Sequence, residues 1–570
     1  MARWTAEVVE RVRPLLFSNG GPIIMLQIEN EYTAGDQQYL DWSVEMARNL
    51  TEQVPWNLCH DVDQCTKLNA GRDKALCTIN GFWMDAWGSD PHQPSPAWVQ
   101  AQQQGNPNQP LIWTEDQGWF DQWGVAQRVR DTRDIMYGIL RWFAHGGAYH
   151  NFYMLTGGSN FGLEAGGNAT TAYAPDTAID YLLLRHQPRF DALKEMFTTL
   201  SSLSAIMLSN SIPNATVLGP NAEAHVYGPV VFLSNYHPNQ SIMVTWQHTS
   251  YHLPNHTVVI VRDSHIVFNS SAVAPPPPPQ PPAATQTLAW EWRGEAIADG
   301  AKKRKSASPV DQLQLTNNQG DYAWYSATLS RSSDANDVSE VSLGVEAAGS
   351  SHLTLFVNGN KTALGAKVVW PPSGKMHVDV LSSAMGLSNT GSGTTMASET
   401  KGVVKVTGKG VSPVSEWTMS YPLRGEADEV FSPSTKVDWS PLTPPPTTPL
   451  VWLRGKFDLP SVNTTDPFSW AVQMTGLNKG VLWVNGVCIG RYWLLPGRCD
   501  GVCPPPHHGA YCFERWRQGS CDAPTQTLYH IPTELLKPTG NILVAFEETG
   551  EVARVERVRI VALTAHPELD

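Results

Sequence analysis

Two acidic side chains near the start of this chain stand where chemistry could be done. Glu31 lies within residues 27–32 (QIENEY), and Glu115 within residues 111–120 (LIWTEDQGWF). Each ends an apolar, β-prone run, and in a closed parallel sheet the reacting groups gather at the C-terminal ends of the strands. Cleaving a glycosidic bond needs one carboxylic acid to protonate the departing oxygen and a second carboxylate to meet the anomeric carbon. Trp113, Trp119, Phe120 and Trp123 crowd Glu115 along the chain, and aromatic faces suit the apolar side of a sugar ring. Such a pocket would also raise one carboxyl's pKa by desolvation, as the acid role requires. Glu29 has the same strand parity as Glu31, so periodicity does not choose between them.

These groups need a scaffold. The first 200 residues alternate short apolar runs with amphipathic segments, the pattern of strand and helix in turn. Strands are expected at 22–27, 55–59, 76–82, 111–114 and 149–155, with helices at 38–53 and 128–143. This is α/β sequence with a parallel sheet. From residue 201 to 273 β-branched and polar runs alternate, as in 230–233, 242–246 and 257–261, which predicts a small β-domain. Residues 274–284 (APPPPPQPPAA) read as a polyproline spacer at the start of a linker over 274–310. Beyond it, 321–329 (DYAWYSATL) pairs with 450–459 (LVWLRGKFDL), and 353–359 (LTLFVNG) with 480–486 (GVLWVNG). Asn-Gly after a β-rich run signals a hairpin. Two β-sandwiches follow from this, at 311–415 and 416–570, the second carrying a cysteine-rich insert at 496–523.

The formal net charge of −13 leaves no electrostatic footprint for nucleic acid. The one basic run, Lys302 to Lys305, reads as solvated linker. No window approaches the roughly 18 consecutive apolar residues of a membrane helix. Residues 1–17 have amphipathic-helix spacing and lack a signal-peptide core. Eight N-x-S/T sequons, from Asn49 to Asn463, point to export all the same. Among the cysteines, Cys59 and Cys77 are early disulfide candidates. Cys499, Cys503, Cys512 and Cys521 sit in Pro-, Gly- and His-rich sequence that cannot build a core. That cluster reads as a disulfide staple or, with His507 and His508, as a zinc site.

Residues 20–32 (GGPIIMLQIENEY) resemble the active-site signature of glycoside hydrolase family 35, the β-galactosidases, which reads GGPIIxxQIENEY. Residues 113–120 (WTEDQGWF), 151–162 (NFYMLTGGSNFG) and 480–493 (GVLWVNGVCIGRYW) resemble further motifs of that family. Plant-type members carry a cysteine-rich insert similar to residues 499–521, which favours the disulfide reading over zinc. The resemblance implies a (β/α)8 TIM barrel followed by jelly-roll β-sandwiches. It implies a retaining hydrolase that releases terminal β-D-galactosyl residues from oligosaccharides or polysaccharides, without metal or organic cofactor. Glu31 would be the acid/base, Glu115 the nucleophile, Asn30 the amide holding the sugar 2-hydroxyl, and Tyr153 the hydroxyl that keeps the nucleophile ionised. Trp119, Trp123 and Tyr173 are expected to contact substrate.

The sequence departs from the family in two places. Only about five of the eight barrel strands find a place here, so a longer protein with an export signal, secreted or vacuolar, is expected. A sugar-binding, lectin-like role for an incomplete barrel is the alternative. Where the family reads TTSYDYDAPID, residues 170–180 read TTAYAPDTAID, which keeps Tyr173 and puts Pro175 in the place of a substrate-contacting tyrosine.

Overall fold

A computed structural model describes residues 1–32, 35–60, 74–81, 108–117, 121–166, 169–237, 239–333, 339–349, 351–387, 399–497, 516–518 and 523–565. After a first helix, α1 (Ala2–Val12), the chain lays down β1 (Leu26–Asn30), β2 (Trp56–His60), β3 (Leu76–Gly81), β4 (Leu111–Gln117), a short β5 (Arg128–Arg130) and β6 (Gly147–Tyr153). Strands β1, β2, β3, β4 and β6 pair in that order, every neighbour parallel. The first strand starts four residues later than its apolar run. The amide and carbonyl of Ile23 are spent on Leu15 and Phe17, which diverts the chain before it can join the ladder.

Two helices back this sheet. α2 (Gln37–Leu50) opens where the Asp36 carboxylate accepts the amides of Gln38 and Tyr39, and it buries Leu40, Val44 and Ala47 against Trp56 and Leu58. α3 (Thr132–Ala144) starts later than its periodicity suggests, because Asp131 caps it by accepting the amide of Arg133. α4 (Arg189–Ser209) runs through the position where sequence texture changes to β.

α3 and α4 together seat the next sheet. β7 (Thr216–Gly219), β8 (Ala222–Tyr227), β9 (Val230–Asn235), β12 (Thr257–Arg262) and β13 (His265–Asn269) pair in the order β13-β12-β9-β8-β7, with a separate hairpin from β10 (Ile242–Trp246) and β11 (Thr249–Leu253). One face, with Phe232, Val258 and Ile260, packs on Met136, Ile139, Leu140 and Leu200.

The remaining strands form antiparallel sheets that are nested. Ala284–Thr287 pairs with Arg559–Leu563, and Ala289–Gly294 with Val451–Phe457, so the chain after the proline tract already belongs to the last sandwich. The intervening sandwich includes Lys302–Ser306 paired with Trp417–Tyr421. The basic run is therefore an exposed edge strand, whose lysines suit an edge that must not pair with another chain. Asn358 and Asn485, at φ 49° and 50°, make the hairpin turns their Asn-Gly pairs announce. No helix among the described residues is long and apolar enough to cross a membrane.

Candidate active site

Glu31 follows β1 directly. A register slip between Gln27 and Glu29 brings Asn30 opposite Cys59. The Glu31 amide then donates to the Cys59 carbonyl at 2.9 Å, and its φ of 52° turns the side chain off the ladder. Such a left-handed backbone costs a non-glycine residue free energy and persists only where the surroundings hold it. Here they include the Asn80 side chain, whose amide nitrogen donates to Glu31 Oε1. Glu29 takes another direction. Its Oε2 accepts Tyr39 Oη from α2 at 2.5 Å, and burial together with that carboxylate pushes the Tyr39 phenol up to about 12. The two glutamates that periodicity could not separate face different neighbours.

Glu115 sits on β4, two strands away from β2 and next to β3. A slip between Ile79 and Asn80 pairs Asn80 with Glu115. The buried Trp113 indole donates to the Glu115 carbonyl at 3.0 Å, and Asn151 on β6 donates to the Thr114 carbonyl at 3.0 Å, so the peptide on each side of the carboxylate is pinned. The same strands share a polar layer. Asn57 donates to Thr78 at 3.0 Å, Thr78 and Thr114 share a hydroxyl contact at 2.8 Å, and Thr114 donates to the Cys59 thiol at 3.2 Å. Burial pushes that thiol up to about 12, and the charges of both Glu115 and Glu31 add to the effect. Both carboxylates thus lie near enough to Cys59 for their charges to act on its thiol.

A tyrosine pair completes this edge. Tyr153, at the end of β6 and 38% exposed, shares a 3.0 Å hydroxyl contact with Tyr173. Tyr173 has its phenol raised by burial, by Tyr153 and by Glu115. The hydroxyl bond expected from Tyr153 toward the nucleophile thus runs to Tyr173, and the pair stands beside Glu115. Asn30 is exposed, its Oδ1 accepting from Gln27 at 3.0 Å.

Other expected site residues sit elsewhere. Trp123 is only 7% exposed and stacks on Trp493 with ring planes 8° apart, so it belongs to the core of the last sandwich and offers no face to a sugar. Cys59 is a free buried thiol and not half of a disulfide, because its side chain points into the polar layer; Cys77 is disulfide-bonded. Trp119, Cys499, Cys503, Cys512, Cys521, His507 and His508 lie outside the described residues. His145, Glu223 and His225 form the one cluster of metal-ligand type among the described residues, within 4.8 Å of one another. The Arg141 guanidinium is already bonded to Glu223. Burial, chiefly, keeps both imidazoles neutral, His225 at about 3. This cluster reads as an ion-paired joint between α3 and β8, with Arg141 as its cation. Sequence reasoning missed Asn80, although strand 76–82 ends at the level of Glu115 and that was signal enough to look there.

Two glutamates toward the C-terminal ends of strands in a parallel sheet, ahead of β-sandwiches, are an arrangement that suits a glycoside hydrolase. Residues 1–200 match the glycosyl hydrolases family 35, and residues 450–541 match the β-galactosidase galactose-binding domain. Beta-galactosidase 8 of Arabidopsis thaliana is 31% identical over 96% of this chain and 67% of its own length, and Beta-galactosidase 10 of the same plant is 31% identical over 96% and 77%. Beta-galactosidase 6 of Oryza sativa subsp. japonica is also 31% identical, over 96% and 67%. Among solved structures, a GH39 β-xylosidase from Caulobacter crescentus shares 10% identity over 67% of this chain and 71% of its own, at a TM-score of 0.27. The chain belongs to glycosyl hydrolase family 35.

Proposed function

We propose that this protein releases terminal β-D-galactosyl residues from galactosides with retention of configuration, Glu115 acting as nucleophile and Glu31 as acid/base. The observation that carries the reading is Asn80 on β3, whose side chain is joined to Glu31 and which strand register pairs with Glu115. Glu115 attacks C1 of the sugar while Glu31 protonates the departing oxygen; Glu31 then takes a proton from the water that displaces Glu115. Tyr153 and Tyr173 lie where hydrogen bonds could stabilise the nucleophile's charge and orient the sugar. Asn30, exposed beside Glu31, is the group for the sugar 2-hydroxyl.

The parallel sheet is, in this reading, five strands of a (β/α)8 barrel. The all-parallel order β1-β2-β3-β4-β6 supports it, since such sheets are found closed into barrels or covered on both faces. The disulfide at Cys77 and the sequons suit an oxidising, extracellular or vacuolar compartment. The test is covalent trapping. A 2-deoxy-2-fluoro-β-galactosyl fluoride should inactivate the enzyme and leave its label on the peptide containing Glu115. Turnover without a label, or a label on another carboxylate, overturns the assignment.

A further inference from the structure

We propose that Asn80 is the positioning residue of Glu31, and that the two ends of its amide serve the two protonation states through which Glu31 must pass. The inference rests on the acid/base reading of Glu31. Asn80 is 2% exposed, its Nδ2 donates to Glu31 Oε1, and its Oδ1 is buried without a partner among the described residues. Glu31 itself sits one residue beyond β1 with φ at 52°, so the regular ladder does not orient its carboxyl. A side chain from the sheet has to do so, and Asn80 reaches it from β3.

An N–H donor favours the ionised form of a carboxyl. Used alone, it would oppose the first half of the reaction, in which Glu31 must arrive with a proton. The orphaned Oδ1 is the answer to that conflict. A half-turn about Cβ–Cγ exchanges oxygen and nitrogen in nearly the same volume, and amide oxygen accepts where amide nitrogen donates. With Glu31 protonated and no sugar bound, Oδ1 accepts its O–H; once the sugar is seated, that O–H turns to the aglycone oxygen. The proton then passes to the aglycone oxygen as the C1–aglycone bond breaks and the C1–Glu115 bond forms. Glu31 is now a carboxylate, and Nδ2 donates to it while it takes a proton from water and the C1–Glu115 bond breaks. Asn80 exchanges no proton and touches no sugar.

Kinetics on substrates of graded leaving-group acidity, in the full chain, separate this role from a structural one. A 2,4-dinitrophenyl galactoside leaves without a proton, whereas an alkyl galactoside needs one. Proton transfer by a positioned group is worth about 10²- to 10⁴-fold, so in kcat/KM, which reads the first half of the reaction alone, Glu31→Ala should lose that on the alkyl substrate and far less on the dinitrophenyl one. Asn80→Ala should show the same pattern at smaller amplitude, roughly 10- to 100-fold against about 3-fold or less. Its alkaline limb of kcat/KM should move up, since of the two bonds lost the charge-assisted one to the carboxylate is the stronger. Asn80→Asp keeps the volume, adds a like charge and cannot donate; its limb should move up by about 1 pH unit or more. Equal losses on both substrates, or an unmoved limb in both variants, overturn the role of Asn80. If Glu31→Ala shows no leaving-group dependence, the acid/base reading itself has failed.

Discussion

Trp123, from the loop that follows the Glu115 strand, stacks on Trp493 of the last sandwich with ring centroids 6.3 Å apart and planes 8° from parallel. A residue placed by its sequence neighbours beside a sugar site is instead a rivet between two domains. Two consequences separate these roles. Truncating a buried tryptophan costs about 3–5 kcal/mol, so Trp123→Ala should lower the thermal midpoint and reduce kcat as the loop loses its anchor. A sugar-contacting tryptophan would raise KM and leave the midpoint alone. Thermal unfolding alongside initial rates decides.

A second joint is polar. Arg491 bonds both oxygens of Asp321, at 2.5 and 2.7 Å, and donates to the carbonyls of Leu163 and Ala165 at 2.6 and 2.7 Å. One guanidinium thus ties the last sandwich to the intervening one and to the loop after β6. Removing one member of a buried pair strands the other's charge and costs about 3–5 kcal/mol. Arg491→Met should lose that much in urea unfolding, and Arg491→Met with Asp321→Leu should recover part of it. A double variant as weak as the sum of its singles would count against the pair.

Much of this architecture was legible in local pattern. The five strands, the two carboxylates at strand ends and the Asn-Gly turns at 358 and 485 each follow from periodicity or turn chemistry within a few residues. What escaped depends on long-range pairing. Residues 284–294 join the last sandwich across more than 150 residues of chain, and nothing in their own sequence says so. β1 starts late because Ile23 finds partners at Leu15 and Phe17. Trp123 was misplaced because nearness in sequence does not say which way a ring faces.

Cys59 offers a chemical check on the site floor. Its thiol is buried, bonded by Thr114 and pushed up to about 12, and only a thiolate is a good nucleophile. Iodoacetamide at pH 8 should leave Cys59 unmodified in the native protein and alkylate it once urea opens the sheet. Cys77, being disulfide-bonded, should need reduction as well. Native alkylation of Cys59 would mean that the polar layer formed with Thr78 and Thr114 is open to solvent.

Asp180 should make stability depend on pH. Burial raises its carboxyl to about 7, against the opposing effect of the Leu184 and Leu182 amides that donate to Oδ1. Its Oδ2 is buried without a partner among the described residues. The folded state therefore keeps a proton on Asp180 that the unfolded chain gives up near its ordinary value of 3.8. The stability this contributes is complete below that value and is lost as pH rises through about 7. At one pKa unit per 1.36 kcal/mol the loss is at most about 4 kcal/mol. An asparagine in its place would keep an Oδ1 for both amides and carry no charge. Asp180→Asn should accordingly match the parent at pH 4 and unfold at a higher temperature at pH 8, with the gap opening between. A difference that stays constant from pH 4 to pH 8 would show that the buried charge is not what separates the two proteins.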